Sequence, residues 1–211
     1  MASSSWVVFL LLASFAAGAS AANFAVLNNC SFTVWPVAYA GGAAARGVQL
    51  DAGQTWTFEV PGNLTSYGRI WGRTGCNFEV SDNGNCETGS CGFPSTLTVC
   101  YDGGAPDKTV AEFRRNRFGD YTDFDCNVAV EGRYNLPMEF SCYDNDYDRR
   151  RPSFRLRCTD PNCYGDDNHR SSPRVPCKTD GDYGVTFCPG PVDDEPLVDR
   201  VTAATHASYS A

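Results

Sequence analysis

Eleven cysteines, at positions 30, 76, 86, 91, 100, 126, 142, 158, 163, 177 and 188, follow an uncharged apolar leader. The leader runs from Met1 to Ala21, and its apolar stretch from Trp6 to Ala17 ends on Ala19-Ser20-Ala21. Small residues after a short apolar run are the mark of a secretory signal peptide, and the run is shorter than the ~20 apolar residues of a membrane span. Cleavage after Ala21 is expected, leaving 190 residues and every cysteine in an oxidising compartment, with no stable membrane insertion. Such a cysteine density there predicts disulfides. A zinc reading has little support: Cys86/Cys91 and Cys158/Cys163 have suitable spacing, but zinc sites usually draw on histidine. The chain has only His169 and His206. No metal or cofactor is expected. Spacing does not fix the pairing, and the odd count leaves one thiol over; a Cys30–Cys188 bridge would tie the domain ends together.

Between the cysteines, short runs rich in Val, Thr, Phe, Trp and Tyr are separated by Gly, Pro and Asn. They fall at 24–27, 31–35, 55–60, 69–73, 96–100, 109–114, 126–130, 138–142, 154–157 and 183–188. In Thr55-Trp56-Thr57-Phe58-Glu59-Val60 the apolar residues take every second place, the period of a half-buried strand. Many short strands predict an all-β antiparallel sandwich or barrel. No segment has convincing helical periodicity and no helical repeat is visible. Residues 160–182, rich in Asp, Asn, Gly and Pro, predict an irregular stapled lobe, and residues 190–211 a disordered tail. The net charge of -8 argues against a nucleic-acid partner, which needs a basic face.

Ordered blocks then carry a resemblance. They are Asn29-Cys30-Ser31-Phe32-Thr33-Val34-Trp35-Pro36, Gly68-Arg69-Ile70-Trp71-Gly72-Arg73-Thr74-Gly75-Cys76, Cys86-Glu87-Thr88-Gly89-Ser90-Cys91, Val110-Ala111-Glu112-Phe113, Tyr134-Asn135-Leu136-Pro137 and Val185-Thr186-Phe187-Cys188-Pro189. Together they resemble the thaumatin-like proteins, pathogenesis-related family 5, and its small ten-cysteine subtype. The resemblance implies a thaumatin-like antiparallel β-sandwich over residues 22–189, with stapled loops. The helical second domain of larger members would be truncated, since Cys142 to Cys188 is only 47 residues. It also implies the bridges Cys30–Cys188, Cys76–Cys86 and Cys91–Cys100. Two more would join Cys142, Cys158, Cys163 and Cys177 in an order left open, with Cys126 the odd thiol, buried or bridged to another chain.

Larger members have a cleft of one arginine and four acids held to bind β-1,3-glucan. The resemblance maps these onto Arg69, Glu112, Asp125 and Glu131; the last replaces an aspartate and is followed by an inserted Arg133, and the fourth acid has no counterpart. Strand geometry puts Arg114 on the same face as Glu112, where it would partly neutralise the cleft. An ordinary Arg69–Glu112 ion pair is the plainer alternative. The leading functional expectation is a secreted, monomeric plant defence protein, antifungal, binding fungal or cell-wall β-glucan. Its aromatic residues Trp35, Trp56 and Trp71 could stack on sugar, although for Trp56 and Trp71, set in apolar alternation, a core position is the better reading.

Two alternatives remain. One is an inhibitor of foreign glycoside hydrolases, since small family members include a xylanase inhibitor; the charged loop 144–151, with Arg149, Arg150 and Arg151, is its candidate contact. The other is a weak endo-β-1,3-glucanase with Glu112 as acid and Asp125 as base, disfavoured by the missing fourth acid and the nearby arginines. Asn63, and less readily Asn29, stand in N-glycosylation sequons. A tail acting as a sorting signal would redirect the secreted protein to the vacuole.

Overall fold

Ala22, Phe24 and Val26 alternate with Asn23, Ala25 and Leu27, and the first set is buried. That period of two, repeated along the chain, builds two facing sheets. The computed structural model describes residues 21–40, 45–61, 67–78, 84–91, 96–100, 107–115, 123–143, 152–164 and 169–191. The leader before Ala21, Asn63, the loop at 144–151 and the tail from residue 192 lie outside them.

The smaller sheet has the strand order β12 (Phe154–Cys158), β11 (Met138–Tyr143), β15 (Asp182–Phe187), β1 (Ala21–Asn28) and β4 (Thr55–Pro61). The larger runs β13 (His169–Ser171), β10 (Asp123–Glu131), β9 (Lys108–Arg115), β5 (Tyr67–Arg73), β2 (Trp35–Ala40), β3 (Ala45–Gly47) and β8 (Val99–Cys100). In it β14 (Val175–Lys178) also pairs with β10, and β6 (Asn77–Phe78) with β7 (Gly84–Asn85) forms a separate hairpin. No helix occurs among the described residues.

The sheets meet through aromatic rings. Phe24 of the small sheet lies 4.6 Å from Phe113 of the large one and stacks on Tyr183 at 4.6 Å. Phe113 meets Phe124 edge-on at 5.6 Å. Gly68 and Gly72 of β5 also face this core. A Cβ on Gly68 would collide with the Phe113 ring, and one on Gly72 would come within 2.7 Å of Leu136. Close packing leaves no room for that. These two glycines let the large aromatics settle directly on β5, while Tyr67, Arg69, Trp71 and Arg73 project from its other face.

One pairing departs from the antiparallel rule: β1 and β15 run parallel, from Asn23↔Asp182 to Asn28↔Phe187. Cys30–Cys188 lies just beyond that ladder and closes a separation of 158 residues. In the chain-entropy model such a closure stabilises by ~5 kcal/mol. The Cys76–Cys86 and Cys91–Cys100 bridges are present, and the open pair resolves as Cys142–Cys177 and Cys158–Cys163. Cys126 is a free, fully buried thiol on the core face of β10. Burial, reinforced by Asp125, pushes its pKa well up, so it packs as a small hydrophobe.

Two local expectations are corrected. The run at 31–35 is a turn, and the strand starts at Trp35. There the Asn28 side chain donates to the carbonyls of Phe32 (2.8 Å) and Leu50 (2.9 Å) and accepts from Cys30 N–H (3.0 Å), satisfying a backbone that ladder pairing does not reach. The region 160–182 is not irregular throughout: β13 and β14 pair with the two halves of β10. Between them Ser172 binds Val128 twice, its N–H donating to the carbonyl at 2.8 Å and its hydroxyl accepting from the amide at 3.1 Å. Trp71 belongs to the packing, as its apolar alternation indicated, with 1% exposure and its Nε1 donating to the Gly89 carbonyl at 2.9 Å. Trp56 is half-buried against Phe58.

Candidate functional site

Register alone brings the charged residues together. Glu112 of β9 is opposite Arg69 of β5 and Asn127 of β10, and one step along the same face Arg114 is flanked by Tyr67 and Asp125. Further on, Lys108 is opposite Glu131. Side chains two apart on a strand share a face, so the outer surface of the large sheet is a grid of alternating charge.

Arg69 is its centre. Its Nε is 3.3 Å from Glu112, and its Nη2 binds Glu131, which also takes Lys108 Nζ at 3.2 Å. Asn127 Nδ2 donates to the second Glu112 oxygen at 2.9 Å. Lys108 is buried with its ammonium 4.9 Å from the Trp71 ring centre, a cation–π contact. Both glutamates therefore act as acceptors for fixed donors. Asp125 is held differently: Arg114 Nε lies 3.9 Å away, and Arg114 is half-exposed.

Above Arg69 opens a cavity of about 310 Å³ lined by Tyr67, Arg69, Glu112, Phe113, Arg114, Glu131 and Arg174. Arg69, Glu112 and Glu131 are thus brought together in one cavity; Asp125 shares the sheet face but is not part of the lining. Arg114 enters the same cavity as Glu112, yet its carboxylate contact is with Asp125. With three guanidinium groups against two carboxylates, the lining is cationic rather than acidic. The exposed aromatic at the cavity is Tyr67, 42% accessible and 5.7 Å from Tyr39, whereas no tryptophan lines it.

The turn after β10 explains how Glu131 keeps its place despite the inserted residue. Gly132 has φ +65°, and Arg133 turns away to clasp Asp107 at 2.9 and 3.1 Å. Those hydrogen bonds hold the Asp107 carboxyl below its ordinary pKa.

Lys108, Asn127 and Arg174 were not among the sequence-derived site residues. For Lys108 and Asn127 the signal was present, since each is a multiple of two from Glu112 or Asp125 on its strand. Arg174 had none, because its position depends on the β13–β14 crossing at the edge of β10.

A second arginine on β5 plays a structural part. Arg73 is fully buried and donates to the carbonyls of Trp35 (3.1 Å), Thr96 (2.9 Å) and Leu97 (2.8 Å). Burial lowers its pKa to about 10, so it stays charged at physiological pH and clamps the disulfide loops over the sheet. Asn29, the described sequon residue, is exposed, with its side-chain nitrogen donating to the Cys188 carbonyl at 2.9 Å. His169 lies on β13. Among the described residues no group of three or more His, Cys, Asp or Glu could hold a metal ion.

A stapled two-sheet sandwich with this charged groove defines the class, and comparison with known proteins gives the family. Residues 28–163 match the Thaumatin family. The chain is 45% identical over 190 residues to thaumatin-like pathogenesis-related protein 4 of Avena sativa, covering 90% of this chain and 100% of that protein. It is 42% identical over 188 residues to a thaumatin-like protein of Oryza sativa subsp. japonica, covering 89% and 97%. Among solved structures it is similar to the thaumatin-like xylanase inhibitor TLXI, with 28% identity, a TM-score of 0.55, and coverage of 79% of this chain and 99% of that one. The chain belongs to the thaumatin family.

Proposed function

We propose that this is a secreted plant defence protein that binds a cell-wall polysaccharide, with β-1,3-glucan as the first candidate, through the Arg69 cavity. The observation that supports this most is the cavity's combination of an exposed tyrosine with fixed donors and acceptors. Sugars are recognised by a ring face on an aromatic side chain and by hydroxyls on such polar groups. The pathogenesis-related names of the relatives support the defence role. Five disulfides suit an oxidising, extracellular setting, and no helix among the described residues is long and apolar enough to cross a membrane. The test is co-sedimentation of the mature protein with insoluble β-1,3-glucan. Binding that falls at least about tenfold in Tyr67→Ala supports the reading; wild-type protein left in the supernatant overturns it.

A second reading, inhibition of a foreign xylanase, draws on the likeness to TLXI. A disulfide-rigid surface enters an enzyme cleft at small entropic cost. Inhibition of a fungal xylanase without glucan binding would select it. Hydrolysis is the least supported role: Glu112 and Glu131 are engaged by Arg69, Asn127 and Lys108, and Asp125 lies outside the cavity lining. Release of reducing sugar that disappears in Glu112→Gln would reinstate it.

A further inference from the structure

We propose that this cavity prefers a sugar that carries a carboxylate: among cell-wall polysaccharides it takes acidic, uronate-bearing chains more tightly than neutral ones. This rests on the reading that the cavity takes a polysaccharide, and it adds the charge of the sugar.

The inference follows from counting which cations are already used. Arg69 is spent on Glu112 and Glu131, and Lys108 on Glu131. The remaining lining cations are Arg114 and Arg174. Arg114 is half-exposed and reaches Asp125 only at 3.9 Å. Arg174 is exposed and has no carboxylate partner among the described residues. The cavity therefore keeps an excess of guanidinium charge in a chain whose net charge is -8, and this excess is a local property of the groove.

Position strengthens the case. Arg174 lies in the link between β13 and β14, which Ser172 pins to Val128 through two hydrogen bonds. It is thus presented from the β10 side of the cavity, while Arg114 comes from β9 and Tyr67 from β5. A pyranose ring resting on Tyr67 could direct its C6 carboxylate to one or both guanidinium groups, whose planar forks match that anion bidentately. A neutral glucan offers only hydroxyls at that point and would desolvate the arginines with weaker compensation.

The experiment measures binding of the mature protein to three soluble probes by calorimetry: oligogalacturonate, the same oligomer with its carboxyl groups reduced to alcohols, and a β-1,3-gluco-oligosaccharide of equal length. Oligogalacturonate should bind about tenfold or more tighter than its reduced form, the effect of a charge-assisted hydrogen bond. Arg174→Gln should bring that ratio close to one. Arg46→Gln, which removes the same charge from an exposed position on β3, should leave the ratio intact. Equal affinity for the charged and reduced oligomers overturns the inference, as does an equal loss in the two variants, which would reveal bulk attraction. Neutral glucan binding without a carboxylate preference would sink this inference and leave the proposed function standing. Tight binding of oligogalacturonate alone would support it and move the function away from β-1,3-glucan. Binding of none of the three would overturn both.

Discussion

The outer faces of the two sheets carry inverted versions of one motif. On the large sheet a single arginine, Arg69, serves two glutamates. On the small sheet a single glutamate, Glu139, serves two arginines, Arg155 at 3.3 Å and Arg157 at 3.1 Å. Both central residues are buried. The first cluster floors a cavity with an exposed aromatic beside it. Charged triads on a sheet face are therefore no mark of a site in themselves; concavity and the neighbouring ring make the difference. Burial raises the Glu139 pKa despite the opposing pull of both arginines, so on the small sheet desolvation outweighs pairing.

That contrast can be broken by substitution. Arg69→Met should cost most, about 3 kcal/mol in urea unfolding at pH 7, because two carboxylates are left without their shared cation. A loss below about 1 kcal/mol would show that the cluster does not hold the sheet face together. Lys108→Met should follow at about 2 kcal/mol, combining a lost ion pair with a lost cation–π contact; a thermal midpoint equal to wild type would contradict the assigned roles.

On the small sheet, Glu139→Gln should change stability by less than about 1 kcal/mol at pH 7, since a buried ion pair whose desolvation dominates adds little. Its signature is in the pH profile. A raised carboxyl pKa means that the folded state binds more protons than the unfolded one between the ordinary value of 4.5 and the folded value. The stabilising contribution of the protonated form is complete below that window and is lost as pH rises through it. The variant should flatten this decline, and an unchanged slope in urea midpoints would refute the assignment. Smallest of all, Arg114→Ala should cost about 0.5 kcal/mol or less, because its carboxylate contact is long and solvated. A larger loss in chemical unfolding would mean that Arg114 supports the sheet.

Much of this was legible beforehand where two signals agreed. The alternation at 55–60 gave β4, and the family resemblance supplied three bridges that the structure shows. Strands of two or three residues, such as β3, β6 and β7, escaped notice because a period of two cannot register in so few positions. The start of β2 was missed because Pro36 reads as turn chemistry, although it stands within the strand opposite Gly72. At the site, Arg69, Glu112 and Glu131 were named through the family resemblance, and strand register sets them on one sheet face. Arg174 was not, since its place depends on chain crossings that no local pattern encodes. The exposed aromatic at the cavity is Tyr67, whereas Trp71 is packed away, as its place in an apolar alternation indicated.

The parallel neighbours β1 and β15 impose an order on biosynthesis. The earliest strand leaves the ribosome long before its partner exists, so Phe24 must wait with one flank of its backbone unpaired. Contacts this distant along the chain fold slowly, because the intervening loop must be confined before any reward is gained. The smaller sheet is therefore completed last, once residue 187 has emerged, and oxidation of Cys30 with Cys188 locks a structure that has just finished forming.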